Sequence, residues 1–158
     1  MTVFSVLKFF FNASVLGLVM AVGSAHAADQ GTSAEAEAMV KKAVAYIKAN
    51  GADKAYEEFT NGTSFKDRDL YVFVYDMTGK NLAHGASAKL VGKDLSSLKD
   101  PDGKMIMPLL SVAAKSASGK GWTVEFKFRN PVTQKLEPKL VYVQRVGDTL
   151  IGTGIYKK

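Results

Sequence analysis

Residues 70–79, LYVFVYDMTG, form the stretch that decides the fold. From Leu70 the periodicity changes to two, and the residues are mostly β-branched or aromatic, which is typical of a β-strand. The turn at 76–79 closes this strand, and residues 80–84 return as its hairpin partner. Three aromatic side chains are expected to share one face of the strand: Tyr71, Phe73 and Tyr75.

Two helices are predicted ahead of this hairpin. Thr32 and Glu35 have the spacing of a capping box, and apolar residues then recur at three- and four-residue steps. This pattern predicts a long amphipathic helix that ends at Asn50-Gly51. A second, shorter helix is expected over residues 53–60.

The rest of the chain predicts a helical insertion followed by three strands. Residues 85–118 have little strand character, and a helix is expected near residues 106–113. Large apolar residues alternate with polar ones from Trp122 to Phe128, which predicts one regular strand. The last two strands and the tight turn between them follow directly: residues 136–146, Gly147-Asp148 and residues 149–156.

This order of elements predicts an α+β domain of PAS-like architecture. We expect a five-stranded antiparallel sheet with a long N-terminal helix and a helical insertion after the second strand. In such a domain the insertion and one sheet face enclose a small pocket. The predicted divisions are a cleaved signal peptide over residues 1–27, a flexible tail over 28–34 and a single domain over 35–158.

An export signal is predicted at the N-terminus. Lys8 precedes an apolar run from Phe9 to Val22, and Ala25-His26-Ala27 supplies the small residues that signal peptidase accepts. Because the run is shorter than the roughly 20 apolar residues of a membrane span, cleavage is favoured over a retained anchor. We therefore expect a periplasmic protein whose mature chain begins near Ala28.

The composition argues against several kinds of chemistry. The chain has no cysteine, so it has neither a disulfide nor a thiolate metal site. After signal removal His84 is the only histidine, which argues against a zinc site, and no Gly-x-Ser-x-Gly motif supports a hydrolase. The formal net charge is +6, but the basic residues are spread along the chain, so nucleic-acid binding is not expected. No catalysis, metal or cofactor is predicted.

Short motifs recur along the domain in a defined order. They are Tyr71–Asp76, Leu82–His84, Leu90–Leu95, Asp100–Lys104, Gly121-Trp122, Asn130–Thr133, Glu137–Lys139, Tyr142-Val143 and Gly152–Tyr156. In order and spacing these motifs resemble the single Cache domain family of extracytoplasmic sensors, over roughly residues 35 to 157. The sequence contains no second membrane-spanning segment and no signalling domain, so a free-standing secreted form is expected.

The resemblance implies a sensor whose pocket binds a short organic acid such as acetate, pyruvate, propionate or lactate. Lys139 is the expected partner of the carboxylate, because a carboxylate that leaves water needs a cation or several donors. Four further residues are expected beside it: His84, Tyr71, Trp122 and Tyr142. Lys139 and Tyr142 differ by an odd number, so a regular strand places them on opposite faces unless Pro138 or a bulge distorts it.

Plainer interpretations stay open. Taken alone, Lys139 is more typical of a solvated strand lysine, and His84 fits a structural role at a turn equally well. In an alternative function, core side chains fill the pocket and the basic surface docks an anionic or membrane partner. In the binding function, a membrane-bound sensor kinase or transporter receives the signal. We expect a monomer or a weak dimer.

Overall fold

The computed structural model describes residues 30–157. The predicted signal peptide, residues 1–27, lies outside the described residues. The elements are α1 (Ser33–Asn50), α2 (Ala52–Asn61), β1 (Lys66–Asp67), β2 (Leu70–Tyr71), β3 (Phe73–Asp76), β4 (Asn81–His84), a 3-10 helix (Ala88–Leu90), α3 (Ile106–Ala114), β5 (Lys120–Trp122), β6 (Phe126–Arg129), β7 (Leu136–Val146) and β8 (Thr149–Tyr156). Within residues 30–157 no helix combines the length and the apolarity needed to cross a bilayer.

The main sheet is antiparallel throughout, with the strand order β4-β3-β8-β7-β5. Strand β6 also pairs with β7, so β5 and β6 together occupy the fifth position of the sheet. Strands β1 and β2 form a separate hairpin. The 3-10 helix and α3 lie between β4 and β5 in the chain. The predicted α+β fold, with a five-stranded antiparallel sheet and a helical insertion after the second main strand, is confirmed.

The sheet lies between two helical layers. Helices α1 and α2 cover one face, where their apolar residues pack with Val72 and Val74. Helix α3 covers the other face, where its apolar residues pack with Tyr71, Phe73 and Tyr75. Because successive side chains of a strand point to opposite faces, the five residues divide between the two layers as the sequence predicts.

Helix α1 begins at the predicted capping box. The Glu35 backbone N–H donates to Thr32 Oγ1 at 3.3 Å, and the Thr32 backbone N–H donates to Glu35 Oε2 at 2.7 Å. Just before this cap, the buried Gly31 donates its backbone N–H to Asp69 Oδ1 at 2.6 Å. The helix itself starts at Ser33, ahead of the domain boundary predicted at residue 35.

The fifth strand is interrupted after Trp122, so the prediction of one regular strand is wrong. Trp122 pairs with Tyr142 of β7, whereas Phe126 pairs with Lys139. One more residue therefore lies between the paired positions on the β5–β6 side than on β7, which makes residues 123–125 a β-bulge. A bulge of this kind moves every later side chain to the other face of the sheet.

Thr123 stabilises the bulge through two hydrogen bonds to strand β7. Its backbone N–H donates to the Val141 carbonyl at 2.8 Å, and the Val141 N–H donates to Thr123 Oγ1 at 3.1 Å. The Thr123 hydroxyl thus accepts a hydrogen bond from Val141 that a backbone carbonyl would accept in a regular sheet. Val124 is 63% exposed and Thr123 is buried, the reverse of the predicted alternation. As a result Trp122 packs on the α1 side of the sheet and Phe126 on the α3 side.

The predicted turn at residues 100–103 ties the insertion to β6. Asp100 Oδ1 accepts hydrogen bonds from the backbone N–H groups of Asp102 and Lys104, at 3.0 and 2.8 Å. Its Oδ2 accepts from the backbone N–H of Lys127 at 3.0 Å. These bonds, with that of Lys127 first, lower the pKa of Asp100. The turn thereby fixes the chain that leads into α3.

Candidate ligand-binding site

A buried lysine marks the candidate site. Lys139 lies on β7 and faces α3, and only 2% of the residue is exposed. It pairs with Phe126 on one side and with Tyr156 on the other. Gly154 makes room for the lysine stem, because a Cβ at this position would overlap Lys139 Cε. The plainer interpretation of Lys139 as a solvated strand lysine does not hold.

Two phenols hold the ammonium of Lys139. Its Nζ donates to Tyr71 Oη at 2.7 Å and to Tyr156 Oη at 3.1 Å. Tyr156 Oη donates in turn to the backbone carbonyl of Arg129 at 2.7 Å. The ring centroids of Tyr71, Tyr156 and Phe128 lie 4.2, 4.6 and 5.2 Å from Nζ. These contacts add cation–π attraction to the hydrogen bonds.

Burial without an anion in contact disfavours the charge of Lys139. Among residues 30–157, no carboxylate lies within ion-pair distance of its ammonium. Desolvation lowers the pKa of Lys139 to about 7, although the carboxylate of Asp69 acts in the opposite direction. Burial also raises the pKa of Tyr71 and of Tyr156, so both phenols keep their protons near neutral pH.

Asp69 is a buried carboxylate close to this cluster. Besides the hydrogen bond that Oδ1 accepts from Gly31, its Oδ2 is buried and has no hydrogen-bond partner within the described part of the chain. Asp69 therefore binds the chain at the start of α1, and its charge also acts on the ammonium of Lys139. Within residues 30–157, no three histidine or acidic side chains come together as a metal site.

His84 closes one side of the cluster. Its ring is buried and lies 5.0 Å from the ring of Tyr71, centroid to centroid. Nδ1 accepts the backbone N–H of Ser87 at 3.1 Å, so the neutral ring carries its proton on Nε2. Burial, followed by the charge of Lys139, lowers the pKa of His84 to about 3. The histidine thus caps a turn with one nitrogen and remains a hydrogen-bond donor with the other.

Two cavities meet at this cluster. The inner cavity has a volume of about 20 Å³ and lies between Lys139 and the apolar side chains of α3 and β6. The outer cleft, of about 280 Å³, lies between Ser87 and the hairpin that joins β6 to β7. Tyr71, His84 and Phe128 line both spaces and separate one from the other.

The structure does not bring Trp122 and Tyr142 to this site. Pairing between β7 and β8 is regular from Lys139 to Val146, so neither Pro138 nor a bulge shifts Tyr142 to the face of Lys139. Tyr142 instead packs with Trp122 on the α1 side, with ring centroids 5.4 Å apart. Strand alternation and the bulge after Trp122 therefore place these two aromatic residues on the face opposite Lys139, so the expectation that all five residues meet in one cluster is wrong. Whether Trp122 or Tyr142 contacts a ligand stays a prediction.

A family model described as Single Cache domain 2 matches residues 13–158. The chain belongs to the single Cache domain family. Domains of this family are extracytoplasmic sensor domains of chemoreceptors and histidine kinases. The chain is 32% identical over 91 residues to Sensor histidine kinase MctS of Rhizobium johnstonii, covering 56% of this chain and 19% of that protein. It therefore spans less than a fifth of this relative's length.

Solved structures share the Cache fold. The methyl-accepting chemotaxis protein from Vibrio parahaemolyticus matches with a TM-score of 0.66 and 31% identity, over 78% of this chain and 86% of that one. A second structure, described as the structural basis for carboxylic acid recognition by a Cache chemosensory domain, matches with a TM-score of 0.60 and 22% identity. That match covers 79% of this chain and 88% of the other.

The sequence analysis did not select three residues of this candidate site in the Cache domain: Asp69, Phe128 and Tyr156. The position of Tyr156 could have been predicted from the hairpin turn between β7 and β8. The turn pairs Val146 with Thr149, and the same register continues without a shift until Lys139 pairs with Tyr156. Phe128 reaches the site only because the bulge changes its face. No local signal indicates Asp69, whose hydrogen-bond partner Gly31 lies 38 residues away in the chain.

Proposed function

We propose that this Cache domain is a binding module for a short organic acid, with Lys139 holding the carboxylate of the ligand. The observation that carries this proposal is the ammonium of Lys139, which is buried among phenols and aromatic rings with no carboxylate in contact within residues 30–157. A buried charge is costly unless it is paired. A carboxylate ligand supplies the missing pair.

The surroundings of Lys139 suit a monocarboxylate with a short tail. Among residues 30–157, Lys139 is the one lysine or arginine that lines the inner cavity, so a single carboxylate is matched there. His84 offers its Nε2–H as a second donor to a ligand oxygen. The remaining wall is apolar and includes Ile106, Leu110 and Phe126, which favours a methyl or ethyl tail over a polar one.

Binding requires the inner cavity to open. A volume of about 20 Å³ holds roughly one water molecule, which is less than an acid of several non-hydrogen atoms needs. Phe128 is half-buried and stands between the inner cavity and the outer cleft. We expect the ligand to enter from the outer cleft, with Phe128 swinging away from Lys139 as the carboxylate arrives.

One similar protein supports this ligand class, and the names of others suggest where the signal goes. One structure with this fold is described by its recognition of carboxylic acids. A membrane-bound sensor kinase, a chemoreceptor or a transporter is the expected recipient of the signal. We expect the acid to be bound without turnover, which recovery of the unchanged acid after prolonged incubation checks.

Calorimetry with acetate, pyruvate, propionate and lactate at pH 6 tests the proposal. Lys139→Met keeps the apolar stem and removes the charge, and affinity is expected to fall by about 30- to 1000-fold, as for deletion of one member of a buried charged pair. Lys135→Met, at an exposed lysine of the β6–β7 hairpin, is the matched control and should change affinity less than about fivefold.

Two results would contradict the proposal in different ways. Equal, small effects of Lys139→Met and Lys135→Met would remove Lys139 from the site while leaving an acid-binding function. Failure of all four acids to bind or to raise the melting temperature of the wild-type domain would instead favour the alternative, an interaction module that docks an anionic partner through its basic surface.

A further inference from the structure

We propose that the site takes up its carboxylate together with a proton, so that ligand binding and protonation of Lys139 are thermodynamically linked. This inference rests on the proposed function and adds its regulation. The domain would then bind its acid more tightly as the surrounding medium becomes acidic, and its occupancy would report the acid and the proton together.

The geometry around Lys139 accommodates both forms of the side chain. As an ammonium, Nζ donates to Tyr71 Oη at 2.7 Å and to Tyr156 Oη at 3.1 Å. As a neutral amine it has a lone pair, and the Tyr71 hydroxyl can turn its proton toward that lone pair at the same distance. Tyr156 keeps the carbonyl of Arg129 as its acceptor in either case. The phenols therefore do not fix the charge state.

A bound carboxylate fixes the charge state of Lys139, because a carboxylate stabilises only the ammonium form. Five titratable side chains surround Lys139 or share its cavity: Asp69 between β1 and β2, Tyr71 on β2, Tyr75 on β3, His84 on β4 and Tyr156 on β8. Burial raises the pKa of Tyr75 to about 12, so this phenol stays neutral across the range considered. Helix α3 and strand β6 contribute apolar residues to the cavity. Asp69 is the acidic residue whose charge acts on Lys139, and it makes no ion pair with it.

Lys139 is expected to change charge between pH 6 and 9, because its amine is buried and makes no ion pair within residues 30–157. Burial lowers its pKa to about 7, whereas the pKa of His84 falls to about 3 and those of Tyr71 and Tyr156 rise. A bound carboxylate raises the pKa of the lysine again. Affinity should therefore change little between about pH 5.5 and pH 6, where the free acid is still ionised, and fall about 50-fold from pH 7 to pH 9, since the charged fraction of Lys139 falls from about one half to about 1%.

Calorimetry with propionate, in buffers that differ in ionisation enthalpy, measures the linked proton directly. We expect uptake of about half a proton per site at pH 7 and nearly one at pH 8.5. Binding with a constant affinity and no proton uptake across pH 6–9 would overturn the linkage and leave the proposed function intact. Absence of binding by propionate and the other three acids at pH 6 would overturn both.

His84 is the rival source of any pH dependence, because an ordinary histidine titrates near pH 6.5. In His84→Gln the affinity is expected to fall, but the shape and midpoint of the pH profile should persist. A flat profile in His84→Gln would assign the proton to the histidine and overturn the inference. Lys135→Met should keep the wild-type profile, since Lys135 is exposed on the hairpin.

An NMR titration of the ligand-free domain gives a second, independent test. Lysine ¹³Cε signals report the charge of each amine, and comparison with Lys139→Met assigns the signal of Lys139. We expect a midpoint near pH 7 in the free domain and a higher one with propionate bound. A midpoint above about 10 in the free domain, the range of an ordinary lysine, would overturn the inference whatever the calorimetry gives.

Discussion

Lys139→Met is expected to make the ligand-free domain more stable while it weakens binding. In the folded wild type the lysine is buried without an anion in contact among residues 30–157, so its charged form carries a desolvation cost that the unfolded chain does not have. Methionine fills a similar volume without a charge. Tyr71 Oη keeps Tyr156 Oη as a partner at 3.4 Å, and Tyr156 Oη still donates to the carbonyl of Arg129.

The magnitude follows from the pKa of Lys139. A fall from the ordinary 10.5 to about 7 corresponds to a cost of about 5 kcal/mol when the side chain is charged, at roughly 1.4 kcal/mol per unit. The substitution also removes two hydrogen bonds, each worth about 1 kcal/mol. We therefore expect Lys139→Met to raise the free energy of unfolding at pH 6 by about 3 kcal/mol.

Because the pKa of Lys139 is lower in the folded state than in the unfolded chain, the sign of the pH dependence of stability can be predicted. Between pH 7 and 10.5 the unfolded wild type binds more protons at Lys139 than the folded form, so wild-type stability rises with pH in this window. Lys139→Met lacks this contribution. The advantage of the variant should therefore be largest below pH 7, shrink by up to about 1.4 kcal/mol per pH unit above it, and vanish near pH 9.

Urea denaturation of the wild type, Lys139→Met and Lys135→Met at pH 6, 7.5 and 9 measures these differences. Lys135→Met should stay within about 0.5 kcal/mol of the wild type at each pH, because Lys135 is exposed. A variant that is less stable than the wild type at pH 6 would refute the reasoning. So would a stability difference that does not change with pH, since the burial cost of a charge must disappear when the charge does.

Two further predictions concern the packing beside Lys139 and the residues on the opposite face of the sheet. Gly154→Ala places a Cβ against Lys139 Cε and 2.9 Å from the Leu140 carbonyl oxygen, so urea denaturation should show a loss of about 1–3 kcal/mol and calorimetry a loss of acid binding. Shortening the lysine in the same chain, as Lys139→Ala, should make the Gly154→Ala effect on stability smaller than in the wild-type background. Trp122→Phe removes a hydrogen bond of 2.9 Å to Glu37 on the α1 side of the sheet and should leave the affinity for propionate within about twofold of wild type. A large loss of affinity in Trp122→Phe would contradict this prediction and indicate that Trp122 contributes to the ligand site.

Local sequence patterns determine most of the secondary structure and one part of the site. The alternation in residues 70–75 predicts which face each side chain takes, because a strand repeats every two residues whatever packs against it. The turn at Gly147-Asp148 likewise fixes the register of the last hairpin and with it the position of Tyr156 opposite Lys139. Such features depend on neighbours in the chain, so they can be predicted before the fold is known.

Tertiary structure alone decides which of the candidate residues form a site. A hydroxyl of Thr123 that accepts the Val141 N–H stabilises the bulge, and this single extra residue sends Trp122 to the α1 side and Phe128 to the lysine. The burial of Lys139 depends on the gap at Gly154 and on the layer contributed by α3. The charge of an amine responds to the dielectric and the charges around it in space, and these are brought together from distant parts of the chain only on folding.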